Sequence, residues 1–345
     1  MALIEVERLS KQFRVLNRRE GLGGAFRDLF SRDYRTVDAV LDVSFAIEPG
    51  EVVGYIGPNG AGKSTTIKMM TGMLRPSGGS VLVDGEVPFS NRIRQARIMG
   101  VVFGQRTQLW WDLPVIESFR VLKDIYHVSD ADFDAHIARF DDLVGLGALH
   151  AQQARTLSLG QRMLCDIAAS FLHDPKVVFL DEPTIGLDGS VKAKIRSLVA
   201  ELNAVRDTTI ILTTHDLGDI EALCERTIII DRGSVLFDGP TQQVTTMFGA
   251  FRTVRFQIDG FASEDAVGLL VELADRFGAD AELAVQCAEA GWADVTLDQQ
   301  RTPLSGVLAF VMERRQVHDV RIVEIEMEHV VQRVYEGALA AGRPM

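Results

Sequence analysis

Gly57-Pro58-Asn59-Gly60-Ala61-Gly62-Lys63-Ser64-Thr65 is the stretch whose reading decides the fold. It fits G-x-x-x-x-G-K-[ST], a loop whose backbone N–H groups wrap around a nucleotide's phosphates. Glycines there remove the Cβ atoms that would block close approach, and they permit positive φ. In this pattern Lys63 reaches the β and γ phosphates and the Ser64 hydroxyl ligates Mg²⁺. Glu51-Val52-Val53-Gly54-Tyr55-Ile56 reads as a buried strand entering the loop, and Ser64 to Met73 as a helix leaving it. The helix N-terminus then faces the phosphates. At an average glycine usage of about 7%, such a match arises by chance in roughly one per cent of chains this long. A ligand-free glycine-rich turn would not need a strand and a helix on its flanks. The stretch predicts a nucleotide site.

The chain has 345 residues, enough for two domains that each bury a core. Its hydrophobic fraction of 47% and charged fraction of 24% are those of an ordinary soluble protein. A net charge of -12 argues against nucleic acid as a partner, because such binding needs a basic surface to displace counterions. Cys165, Cys224 and Cys287 are far apart and odd in number, so reduced thiols in a cytosolic protein are expected. Neither a signal peptide nor an apolar run approaching 18 residues is seen, so membrane work is expected to go through a partner.

Leu3 to Leu9 alternates as a strand, and Val40 to Ile47 reads as a second one ending at the turn Glu48-Pro49-Gly50. Between them, residues 17–36 form a basic insertion. It carries Arg18, Arg19, Arg27, Arg32 and Arg35, with Leu22, Phe26, Leu29 and Phe30 at roughly helical spacing. The insertion is either a solvated surface helix or one lying against a membrane partner or anionic headgroups. Strands are expected at Ser80 to Asp84, Ile98 to Phe103, Val177 to Leu180, Thr208 to Leu212 and Thr227 to Asp231. A helical stretch over about 106–175 has Phe133, Ile137, Phe140 and Val144 on one face after a Ser129 cap. Strands alternating with helices imply a largely parallel, covered sheet.

Near Phe251 the rhythm changes. Val254, Phe256 and Ile258 mark a half-buried strand, then Ser263 caps a helix with Val267, Leu270, Val271 and Ala274 facing inward. Two strands follow, Glu282 to Cys287 and Ala293 to Leu297. Thr302-Pro303 then opens a helix with Leu304, Val307, Leu308 and Val311 inward. A strand Asp319 to Ile325 and a helix Met327 to Glu336 finish the chain. The order β-α-β-β-α-β is that of a small ferredoxin-like layer over residues 251–340, after a first domain over 1–248.

Val177-Val178-Phe179-Leu180-Asp181-Glu182 is an apolar strand ending in two carboxylates. Behind a phosphate loop, Asp181 is expected to hold Mg²⁺ and Glu182 to polarise the attacking water. His215, at the end of another strand, is placed to hydrogen-bond the γ-phosphate.

With Leu157-Ser158-Leu159-Gly160-Gln161-Arg162 added, the chain resembles the ATP-binding cassette (ABC) ATPases over about residues 3 to 240. The matching parts fall in the family's order: the phosphate loop, Gln105 as the Q-loop glutamine, Ser158 to Gln161 as the signature, Asp181-Glu182, Gly186-Leu187-Asp188 as the D-loop, and His215 as the switch. The resemblance implies an α/β fold, a P-loop domain with a RecA-like core and a helical subdomain, here followed by the α+β layer. It implies two ATP and Mg²⁺ at a head-to-tail dimer, with Ser158 and Gly160 offered to the second subunit's nucleotide and Asp188 beside it. Gln105 would touch Mg²⁺ or the attacking water, and the loop after it, with Trp110 and Trp111, would face an integral membrane permease subunit. Phe13 sits where the family stacks an aromatic ring on adenine, with Tyr34 as the alternative. Leu159, where glycine is commonest, resembles exporters whose membrane subunits are separate chains, as in drug-resistance and viologen efflux. The basic insertion is similar to that of polysaccharide exporters.

The expected function is therefore the ATPase subunit of an exporter, peripheral on the cytoplasmic face of the membrane. The rival readings are a non-transport ABC protein acting on ribosomes or DNA and an importer subunit. A single cassette, an acidic balance and the lack of sustained heptads weigh against the first; the helical periods after residue 251 weigh against the second.

Overall fold

The computed structural model describes residues 2–16, 34–104, 106–214, 216–248, 251–278, 281, 283–299 and 301–324. Contacts divide the chain into two compact units, Met1–Thr241 and Gln242–Met345.

In the first unit, β1 (Ile4–Leu16) and β2 (Tyr34–Ile47) pair antiparallel, from Ile4↔Ile47 to Leu16↔Tyr34. β3 (Val52–Ile56) leads to α1 (Lys63–Met70), and β4 (Gly78–Val83) returns to pair with β1. Then come α2 (Arg92–Ile98), β5 (Met99–Phe103) and three helices, α3 (Val115–Tyr126), α4 (Asp130–Val144) and α5 (Leu159–Phe171). β6 (Val177–Asp181), α6 (Gly189–Arg206), β7 (Thr209–Thr213) and α7 (Leu217–Leu223) alternate as expected of a parallel sheet. β8 (Arg226–Asp231) and β9 (Ser234–Pro240) complete the first unit, and α8 (Thr241–Phe248) starts on its last residue and otherwise belongs to the second.

The central sheet has the order β5-β6-β7-β3-β8-β9, parallel from β5 to β8, with β9 antiparallel to β8. β6 and β7 are unbroken apolar runs because both faces are covered, and Val177 to Leu180 and Ile210 to Leu212 are all buried. Each such side chain contributes about 1.5–3 kcal/mol on leaving water. The smaller sheet, β2-β1-β4, alternates instead, and its inward residues join the same core, with the Phe45 ring 5.7 Å from that of Tyr55. Burial raises the pKa of the Tyr55 phenol, which donates to Thr66 Oγ1 of α1 at 3.3 Å. The strand before the phosphate loop and the helix after it are thus tied together.

α4 starts as expected: the Ser129 hydroxyl accepts Asp132 N–H at 3.1 Å, and Phe133 and Phe140 are buried. Some boundaries differ. α1 ends at Met70, three residues short of expectation. β1 runs on to Leu16 and β2 begins at Tyr34, so residues 34–36 of the expected insertion are strand; residues 17–33 lie outside the described residues.

The second unit holds β10 (Phe251–Ile258), α9 (Ser263–Phe277), β11 (Ala284–Glu289), β12 (Trp292–Asp298), α10 (Leu304–Arg314) and β13 (Val317–Glu324). Its sheet, β11-β12-β10-β13, is antiparallel throughout, the ferredoxin-like order. The inward face of α9 is a correction: Ala266, Leu269 and Leu273 are buried, while Val267 and Val271 are exposed. α10 buries Val307 and Val311 as expected, and adds Phe310. Ile325 and the expected helix Met327 to Glu336 lie outside the described residues. Among those described, no helix is long and apolar enough to cross a membrane.

Candidate functional site: a phosphate loop and two carboxylates

The loop after β3 is built around two glycine positions. A Cβ on Gly57 would sit 2.1 Å from Ile230 O of β8, and one on Gly62 would sit 2.5 Å from Ala39 O of β2. Gly62 also has φ +107°, a conformation that L side chains rarely adopt. Asn59 and Gly60 are exposed at the tip, and Ala61 is buried against the sheet. Lys63 opens α1 and is only 7% exposed. Its Nζ donates to Gly57 O at 2.6 Å and Pro58 O at 3.2 Å, and lies 4.0 Å from Glu182 Oε1. Ser64 and Thr65 follow it, half-buried, in the first turn.

β6 brings the carboxylates alongside. Asp181 Oδ1 accepts the Thr213 hydroxyl of β7 at 2.6 Å, which fixes the carboxylate's orientation. Glu182 has φ 54°. For a non-glycine residue that costs of order 1–3 kcal/mol and persists only when neighbours hold it. They do: its N–H donates to Thr213 O and to Thr213 Oγ1, each at 3.0 Å. Ser64, Lys68, Gly104, Arg106, Asp181 and Glu182 line one open cleft. The Ser64 hydroxyl and the carboxylates are hard oxygen donors on one wall, a set that suits Mg²⁺ completed by phosphate oxygens and water. Among the described residues no group of three or more His, Cys, Asp or Glu could hold a metal by itself.

The signature residues stand apart from this cleft. Ser158 caps α5, its hydroxyl accepting Gln161 N–H at 3.2 Å while its own N–H donates to Gln161 Oε1 at 2.9 Å. Leu159 is 41% exposed in the first turn. Gly160 packs so closely on α6 that a Cβ would come within 2.7 Å of Val191 Cγ1. Asp188 caps α6 by accepting Ser190 N–H at 2.9 Å and Val191 N–H at 3.1 Å. The Ser190 hydroxyl, then the Val191 N–H, hold its carboxyl below the usual range.

Phe13 and Tyr34 lie on the β1–β2 pair, 37% and 53% exposed. Phe13 pairs with Val37 and Leu16 with Tyr34. Ala39 borders Gly62, so Tyr34 lies three residues, about 10 Å, farther along β2 from the loop than Val37, the partner of Phe13. Gln105 and His215 lie outside the described residues.

Two residues here were missed by sequence reasoning. Thr213, the clamp on Asp181, looks like any strand threonine. Asp166 does carry a signal, a carboxylate inside the apolar run Leu164-Cys165-Asp166-Ile167-Ala168 of α5. Its Oδ1 accepts the Thr107 hydroxyl and Gln108 N–H, each at 2.9 Å, anchoring the loop after Gln105. Burial pushes its carboxyl up to about 6 despite those bonds. In that loop Trp110 and Trp111 are exposed, and the Arg162 guanidinium lies 5.2 Å from the Trp111 ring centre. The three cysteines are free; burial pushes the Cys165 thiol up to about 12 and raises that of Cys224.

The model of the ABC transporter family matches residues 40–185. ABC transporter A family member 1 of Dictyostelium discoideum is 34% identical over 229 residues, 66% of this chain but 26% of that protein. The chain thus spans about a quarter of that relative's length. Nod factor export ATP-binding protein I of Paraburkholderia xenovorans is 32% identical over 73% of this chain and 82% of its own. Methionine import ATP-binding protein MetN of Latilactobacillus sakei is 32% identical over 69% of each. A solved ATP binding subunit of an ABC transporter superposes with a TM-score of 0.59 at 25% identity, covering 72% of this chain and 93% of that one. With its loop, carboxylates and signature cap in the arrangement above, this chain belongs to the ABC transporter ATP-binding proteins.

Proposed function

We propose that the chain binds and hydrolyses ATP as one half of a dimer and powers export through a separate integral membrane subunit, from the cytoplasmic face of the membrane. The observation that carries the reading is the convergence of Ser64, Asp181 and Glu182 on one cleft, with Lys63 Nζ 4.0 Å from Glu182 Oε1. In it Lys63 and the loop N–H groups bind the β and γ phosphates, Glu182 takes the proton of the attacking water, and Gln105 and His215 complete the site as the resemblance implies. Mg²⁺, when bound, offsets phosphate charge; Ser64 and Asp181 would hold it. Ser158, Leu159, Gly160 and Gln161 line no part of this cleft with Ser64 and Glu182, which supports their offering N–H groups and a helix dipole to a second subunit's ATP.

The relatives' names run in both directions, export and import, so likeness alone sets no direction. The export reading rests on Leu159 in the signature. Purifying the chain from detergent-solubilised membranes tests the reading: an integral membrane subunit should come with it. Vesicles holding that pair should move cargo away from the ATP-exposed side, and inward-only transport would make it an importer.

The register supports Phe13 over Tyr34 as the adenine partner. Phe13→Ala should weaken ATP binding by about 1–3 kcal/mol, as for a lost base stack, and Tyr34→Ala by less. Titration with a fluorescent ATP analogue decides it; the reverse ranking would move the stacking role to Tyr34.

The second unit has its own core around Val254, Phe256, Leu269, Leu273 and Val307, and we read it as an accessory that supports the dimer or its regulation. A chain ending at Phe248 should bind ATP within about threefold of the full chain while dimerising less stably. A truncated chain that folds but binds no ATP would make the second unit part of the site.

A further inference from the structure

The carboxylate of Asp219 on α7 is wholly buried, and four donor atoms converge on it. Its Oδ2 accepts the hydroxyls of Thr184 and, at 3.2 Å, Thr214. Its Oδ1 accepts Arg196 Nε at 2.7 Å and lies 2.6 Å from Arg196 Nη2 in an ion pair. The three partners come from three separate segments. Thr184 lies two residues after Glu182, Thr214 is the residue before His215, and Arg196 sits about two turns into α6, the helix capped by Asp188. A second carboxylate extends the node: Asp216 Oδ2 takes Lys192 Nζ at 2.5 Å and lies 3.6 Å from Arg196 Nη2, while Asp216 N–H donates to Thr214 Oγ1 at 3.0 Å. There is little slack, since a Cβ on Gly218 would lie 3.1 Å from Asp216 Oδ1 and 3.3 Å from Arg196 Nη2. Apolar packing commonly replaces a buried ion pair without loss of stability, so such a node is better explained by the geometry it fixes.

We propose that Asp219 is a positioning residue for ATP hydrolysis, one carboxylate that fixes the turn after Glu182 and the strand end before His215 and ties both to α6. The proposal rests on the ATPase reading above. Glu182 sits in a left-handed conformation between the Thr213 clamp on its N–H and the Thr184 hydroxyl bond just beyond it. Loosening the second support lets the Glu182 carboxylate drift from the attacking water, and small displacements of a base cost much rate.

The test measures kcat, KM for ATP, nucleotide affinity and melting temperature for wild type, Asp219→Asn, Thr184→Val and Thr214→Val. Asp219→Asn should lower kcat about 10–100-fold, as loss of an orienting partner does, with KM and affinity within about threefold. Each threonine variant keeps the Asp219–Arg196 pair and should lower kcat in the same direction by less. Adding Thr184→Val to Asp219→Asn should lower it no further, since the two act through one contact. A merely structural role would instead lower the melting temperature and leave kcat per bound nucleotide unchanged, which overturns the proposal. If Asp219→Asn fails to fold, the threonine variants decide, and wild-type kcat in both overturns it. Turnover that needs Glu182 but not Asp219 removes the positioning role alone. A wild type that binds ATP and never hydrolyses it removes the ATPase reading and this proposal together.

Discussion

Glu182→Gln is expected to keep nucleotide affinity and lose about 10²–10⁴-fold in steady-state turnover, the usual cost of removing a general base. The substitution conserves volume and shape, and the contacts that hold residue 182 are made by its backbone N–H to Thr213, so the strained turn survives. What changes is basicity. A carboxylate near the attacking water can take its proton, whereas an amide cannot. On the proposed reading the phosphates are held by Lys63 and the loop, which the substitution leaves in place, so binding and chemistry should separate. Phosphate release and analogue titration measure the two effects, and sizing chromatography with ATP should show a trapped dimer. Turnover near wild type would displace Glu182 from the role of base and leave the proton to another group.

How much of this was legible depended on how local the cause was. The phosphate loop could be read because its signal is contiguous in the chain: Gly62, held at φ +107°, is followed at once by Lys63 and Ser64. The apolar strand ending in Asp181-Glu182 was legible for a similar reason, since a strand covered on both faces shows as an unbroken run. The inward face of α9 was misread because two i, i+4 stripes lie side by side. Val267 and Val271 are as apolar as Leu269 and Leu273, and only the sheet beneath selects the leucines. β9 went unnoticed because Ser234 to Pro240 is only partly buried and ends in Gly239-Pro240, poor strand formers held by pairing with β8. Thr213 and Asp219 act through partners that are distant in sequence, such as Asp181 and Thr184, so nothing near them in the chain announces the contact. The cargo was not legible for a different reason: on the transporter reading, a separate membrane subunit chooses it.

The second large effect is on binding itself. Lys63→Ala should reduce ATP affinity by at least about 100-fold, leaving no saturable turnover at millimolar ATP. Lys63 is nearly sealed from water, so its charge acts at a low effective dielectric. Two unit charges 4 Å apart interact by about 4 kcal/mol at an effective dielectric of 20. A hydrogen bond to a charged partner is worth about 1.5–3 kcal/mol net, so two phosphate contacts account for the expected loss. The ammonium is already directed by the carbonyls of Gly57 and Pro58, so little ordering cost falls on binding. Lys63→Arg should rescue poorly, because a planar guanidinium does not fit a niche shaped for a compact ammonium. The fold should hold, since Gly62 and Thr66 still shape the first turn through the Thr66 hydroxyl on Gly62 O at 3.1 Å. Analogue titration beside a melting curve reads the outcome. An alanine variant that melts like wild type and binds ATP within about threefold of it would show that the loop N–H groups alone carry the phosphates.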